Sequence, residues 1–158
     1  MTNEQLEHLI REYIAQIFHM SLATAADNKP WVCEVHFSFD DELNLYFRST
    51  TDKRHCREIA QNPFVAGNII TQHFKNQKVR GVYFEGTAER LESVGEEDVA
   101  YKTVFNRYGK ANIQAISKEN EVTLSYYKIT VHNWYLFDAY DAMPPQKYQL
   151  PWKTAGGN

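Results

Sequence analysis

Hydrophobic and polar positions alternate along this chain in two distinct periods. Leu6, Leu9, Ile10, Tyr13, Ile14, Ile17 and Phe18 recur at three- and four-residue spacing, the signature of an amphipathic helix. Thr2 and Gln5 ahead of that run form a capping-box pattern, so the first helix starts there and lays its apolar stripe on a sheet. Period-two segments follow: Met20 to Ala26, Trp31 to Phe39 and Leu43 to Ser49, separated by the turn clusters Asp27-Asn28-Lys29-Pro30 and Asp40-Asp41-Glu42. In the second segment Trp31, Cys33, Val35 and Phe37 share one face, and Glu34, His36 and Ser38 share the other. A short helix runs from Lys53 to Asn62, where Pro63 forces extended geometry. Two further strands span Phe64 to Thr71 and Val79 to Leu91, with a polar loop between them.

A longer helix is expected from about Ser93 to Tyr108, presenting Tyr101, Val104, Phe105 and Tyr108 on one side. Ser93-Val94-Gly95-Glu96 reads as its capping box, Glu96, Glu97 and Asp98 fill its first turn, and Gly109 ends it. Ala111 to Ile116 suggests another helical piece, and Val122 to Tyr140 is again strand-rich, with Tyr126, Ile129, Val131, Trp134 and Leu136 as core or cavity walls. The sum is an α+β arrangement of five or six mainly antiparallel strands with flanking helices, whose edges are buried by closure into a barrel. A single domain over residues 1–150 and a C-terminal tail over 151–158 are expected.

The formal charge of −3 and the lack of a basic stripe give no support for nucleic-acid binding. No apolar run approaches the length of a membrane span, and the acidic N-terminal stretch is unlike a signal peptide. Cys33 and Cys56 need not pair in a reducing compartment, so a cytoplasmic location is the expectation. Cys33 and His36 point to opposite faces of one strand, which does not make a metal site, and no Ser/His/Asp or paired-carboxylate arrangement marks a catalytic residue.

The chemistry concentrates in Arg48-Ser49-Thr50-Thr51-Asp52-Lys53-Arg54-His55. With Thr51 or Asp52 as N-cap, Lys53, Arg54 and His55 fall in the first turn of a helix, where the dipole and the unpaired N–H groups favour anions and disfavour cations. The helix at Ser93, with its acidic start, obeys the dipole rule; this one breaks it. Two readings stand: a solvated charged face, or a phosphate site built from N–H groups, hydroxyls and cations.

The order of segments resembles the pyridoxamine 5′-phosphate oxidase-like superfamily of FMN-binding split barrels, and within it a small bacterial branch. The resemblance rests on Leu22-Ala23-Thr24, Lys29-Pro30-Trp31-Val32, Leu45-Tyr46-Phe47, the basic helix closing at Asn62-Pro63, Val65 to Ile69, and Arg80 to Leu91. It implies a mainly antiparallel six-stranded split β-barrel and a homodimer with flavin sites at the subunit interface. Carried onto this sequence, the FMN phosphate falls to Arg48, Ser49, Thr50, Lys53, Arg54 and His55, the flavin ring to the strand bearing Cys33 and Val35, and Arg80 lies near the site. The implied function is an FMN-dependent oxidoreductase acting on a small molecule. The true oxidase has an arginine and a lysine on its second strand, where this chain has Trp31, Cys33, Glu34 and His36, so pyridoxamine-phosphate oxidation is not expected. The alternatives are a non-catalytic dimeric module for a flavin or another phospholigand, or a relative using deazaflavin or haem.

Overall fold

A computed structural model describes residues 1–109, 124–138 and 144–153. Helix α1 (Asn3–Ala15) opens with the expected box: the Thr2 hydroxyl accepts from the Gln5 N–H, and the Gln5 side chain accepts from the Thr2 N–H. Leu6, Ile10 and Ile14 are its buried stripe. They join one core with Leu22, Phe47, Val82, Trp134 and Leu136 from the strands. Burial of each such side chain is worth about 1.5–3 kcal/mol, which anchors α1 on the sheet.

Strands β1 (His19–Ala26) and β2 (Lys29–His36) form a hairpin with Asp27 and Asn28 both in the left-handed region, the turn that matches strand twist. The single second strand expected from the sequence is broken at Phe37. Its continuation, β3 (Ser38–Phe39), leaves β1 and pairs instead with β4 (Leu45–Thr50). The break arises because Phe37 turns into the core, 1% exposed, and its N–H bonds to the Phe18 carbonyl. β4 starts later than expected because Leu43 has φ +57° and closes a turn in which the Asp40 carboxylate accepts from the Glu42 and Asn44 N–H groups.

Helix α2 (Arg54–Gln61) and strands β5 (Phe64–Ile69) and β6 (Arg80–Leu91) follow, then helix α3 (Val99–Tyr108), β7 (Leu124–Asp138) and β8 (Gln146–Pro151). The sheet runs β2-β1-β5-β6-β7-β4-β3, with the pairings antiparallel throughout and β8 alongside the second half of β7. This is an α+β split barrel, with eight strands among the described residues where six were expected: the broken second strand adds one, and β8 the other. β8 crosses into the segment read as a tail, and the backbone N–H groups of Trp152 and Lys153 bond to the His132 carbonyl.

α3 begins later than expected. Asp98 is its N-cap and bonds back to the Gly95 N–H, so the Ser93 box does not form and the first turn holds no acidic residue. Gly109 at φ +69° ends it as read from the sequence. On its face Val104 is buried, but Phe105 is 47% exposed and stacks on Tyr101. The helical piece read at Ala111–Ile116 lies outside the described residues.

Candidate functional site

A cavity of about 690 Å³ opens where the barrel is split, between the end of β2 and the strand β4. Among the described residues β2 pairs with β1 on one side only, and the residues that bound the gap come from elements distant in sequence. Glu34, Val35, His36 and Phe37 form one wall; Tyr46, Phe47, Arg48 and Ser49 form the other. Lys53 and His55 close the cavity from α2, and Val104 and Tyr108 from α3. Its volume suits an organic cofactor or drug-sized ligand.

The start of α2 differs from the sequence reading by one or two residues. Lys53, not Thr51 or Asp52, is the N-cap, and its side chain makes no capping hydrogen bond. The first turn contains no acid. Amides without a capping side chain, next to Lys53 and Arg48, form an anion-favouring corner. Asp52 stays outside it as an exposed carboxylate, held below its ordinary pKa first by a hydrogen bond from Thr50.

His55 is 9% exposed, packs against the Phe47 ring and shares a hydrogen bond of 2.8 Å between Nε2 and the Ser49 hydroxyl. Burial lowers its pKa, the Lys53 charge lowers it further, and Glu58 partly opposes both. The imidazole is therefore neutral near pH 7, and its part in the corner is to orient Ser49 rather than to supply charge.

Of the residues singled out from the sequence, Arg48, Ser49, Lys53, His55 and Val35 line the cavity. Thr50, Arg54, Cys33 and Arg80 are not among its lining residues. Thr50 ends β4, and its carbonyl accepts from the Lys53 N–H. Arg54 turns the other way: its Nε donates to Glu58 at 2.8 Å, and its guanidinium lies 4.4 Å from the centre of the Trp31 ring. Glu58, 6% exposed, also accepts from the Thr24 hydroxyl at 2.6 Å; that bond and then Arg54 hold its carboxyl below the ordinary range. Cys33 packs on the core side of β2, and burial, with Cys56 and Glu34 adding to it, pushes its thiol up to about 11, so it stays protonated. Arg80 begins β6 and pairs with the buried Asp138 at 2.7 Å.

Val104 and Tyr108 of α3 were not legible as site residues. The Tyr108 hydroxyl lies at the backbone carbonyls of Phe18 and Phe37, which pins the end of α3 over the break in the second strand. Gly109, the helix stop, was the one sequence signal fixing where Tyr108 falls.

Residues 6–138 match the family model for pyridoxamine 5′-phosphate oxidase, and the chain belongs to that family. The chain is 28% identical over 123 residues to UPF0306 protein plu4501 of Photorhabdus laumondii, an alignment spanning 77% of this chain and 85% of the relative. In fold it is similar to a heme binding protein from Mycobacterium smegmatis, with TM-score 0.71 and 17% identity over 89% of this chain and 55% of that one. It is likewise similar to an FAD-binding protein from Mesorhizobium loti, with TM-score 0.61 and 17% identity over 82% of this chain and 90% of that one. Among the described residues no helix is long and apolar enough to cross a membrane.

Proposed function

We propose that the chain is an FMN-binding flavoprotein oxidoreductase of the pyridoxamine 5′-phosphate oxidase type, distinct from the true oxidase. The observation behind this reading is the corner at the start of α2, where Arg48, Ser49 and Lys53 face one cavity beside a helix start whose N-cap side chain makes no capping hydrogen bond. A dianionic phosphate seated there would accept hydrogen bonds from several of these groups at once. Val35 on the opposite wall supplies apolar surface for an aromatic ring, and His55 holds the Ser49 hydroxyl in place. FMN, when bound, supplies hydride and electron transfer, so no side chain of the chain need act as nucleophile. The protein's contribution is to anchor, orient and partly desolvate.

We further propose a cytoplasmic homodimer with its flavin sites at the subunit interface. Val32, Ala23, Ala66 and Glu85 are successive register partners across β2, β1, β5 and β6, so they share the outer face of the sheet. On that face Val32 is 60% and Phe64 64% exposed, with small alanines between them, above a groove of about 1040 Å³. Glu34 and His36, which line the cavity, lie on the same face as Val32 two and four residues on. A second copy seated there reaches the mouth of the cavity.

The second reading is a phospholigand-binding module without turnover, or one that takes haem. It is favoured by the pairing of Arg54 with Glu58, which leaves the corner with fewer available cations than the sequence suggested. Titration of the purified protein with FMN and with haem, followed by absorbance, separates the readings. Tight FMN uptake and reduction by a nicotinamide cofactor support the oxidoreductase. Uptake without reduction supports the module, and haem uptake alone removes FMN.

A further inference from the structure

We propose that Glu34 makes this cavity selective for a second ligand with a cationic or N–H-donating head group and turns anionic ones away. The two walls carry opposite charge: Arg48 and Lys53 stand on the β4–α2 side, Glu34 on the β2 side. Glu34 is held by its neighbours on β1. Its Oε2 lies 3.3 Å from His19 Nδ1, and the Ser21 hydroxyl donates to Oε1. The pairing follows from strand register, in which Ser21 faces Glu34 and His19 faces His36. His36 is in turn fixed edge-on against His19 and Tyr108, with ring centres 6.2 and 5.9 Å away.

In the single chain these contacts orient the carboxylate without burying it, the Glu34 side chain being 60% exposed, at the cavity mouth that the proposed second copy reaches. An entering molecule therefore meets a positioned negative charge on one wall while the cations of the other wall serve a phosphate. Like charge opposite Glu34 is disfavoured and opposite charge favoured, by several-fold for groups this exposed. The assignment of this wall to a second ligand rests on the flavin reading, which gives the first ligand to the Arg48–Lys53 wall.

The experiment loads the full chain with FMN, reads loading from the flavin absorbance, and then titrates with benzamidine and benzoate, aromatic probes of similar shape and opposite charge. Flavin band shifts and calorimetry report binding without any turnover. Benzamidine should bind at least about threefold more tightly than benzoate. Glu34→Gln should abolish the preference, and Glu34→Lys should reverse it. His19→Gln, which removes the pairing but keeps the carboxylate, should preserve it. Loading with no preference, or a preference that survives Glu34→Gln, overturns the proposal and leaves the flavin reading standing. Failure to load with FMN sinks the flavin reading, and the assignment of the β2 wall falls with it.

Discussion

Arg54 and Glu58 are bonded one helical turn apart, Nε to Oε1 at 2.8 Å, and that bond divides the basic stretch into two parts with different tasks. Arg54 belongs to a structural group with Glu58, Thr24 and Trp31. Lys53, Arg48 and Ser49 face the cavity.

The division predicts a ranking of variants. Arg48→Ala combined with Lys53→Ala removes two charge-assisted contacts and should weaken FMN binding by about 2–3 kcal/mol or more. Arg54→Ala should change it much less and instead lower stability. Fluorescence titration of FMN against each variant checks the order; a larger loss for Arg54→Ala would place the phosphate on the other side of α2.

Glu58→Ala leaves the Thr24 hydroxyl and the Arg54 guanidinium without their shared acceptor. The cost should be about 1–3 kcal/mol, measured by denaturant unfolding. A neutral result would show that the buried carboxylate is dispensable to the fold.

His55 sets a pH dependence. Its folded pKa lies below the ordinary imidazole value, so the unfolded chain takes up this proton first as pH falls. Its contribution to stability is thus fully present above about pH 6.5 and is lost as pH drops through the depressed folded value. His55→Gln should flatten the fall in unfolding free energy between about pH 7 and 5 relative to the parent. Parallel curves for the two proteins would contradict a buried neutral imidazole.

Arg107 ties two helices together. Its Nη2 donates to the Ile14 carbonyl at 3.0 Å and to the Ile17 carbonyl, where α1 ends, and its guanidinium sits among the rings of Phe18, Phe37 and Phe39. Arg107→Ala should cost about 2–3 kcal/mol of unfolding free energy, and Arg107→Lys should restore only part of it, because a lysine lacks the planar fork. Full rescue by lysine would reduce the role to charge alone.

The proposed dimer face has a direct probe in Phe64, 64% exposed on β5. Phe64→Glu should turn a dimer into a monomer in sedimentation analysis while leaving the far-ultraviolet circular dichroism spectrum of the folded chain unchanged. An unchanged mass would move the interface elsewhere.

Much of the barrel was legible because local rules and tertiary packing agree there. The stripe Leu6, Ile10 and Ile14 and the Thr2–Gln5 box required no distant partner, and all form as read. Asp27 and Asn28 likewise turn where their side chains tolerate positive φ. Several features that the sequence did not show come from contacts made far along the chain. The break at Phe37 depends on the carbonyl of Phe18 and on the core, not on the alternation of β2. β8 lacks a strong alternating pattern and is held by register with β7. The ion pair of Arg80 with Asp138, its register partner on β7, was likewise not visible from the residues around Arg80. For Arg54 the i,i+4 partner Glu58 was visible in the sequence, but the Thr24 bond that buries that carboxylate was not.

The most direct measurement is the affinity of the purified, ligand-free protein for FMN compared with riboflavin, which differ by the phosphate. A phosphate corner built from Arg48, Ser49, Lys53 and the start of α2 predicts that FMN binds at least about tenfold more tightly, and that the difference vanishes in the Arg48→Ala, Lys53→Ala double variant. Equal affinities for the two, or no uptake of either, would contradict it.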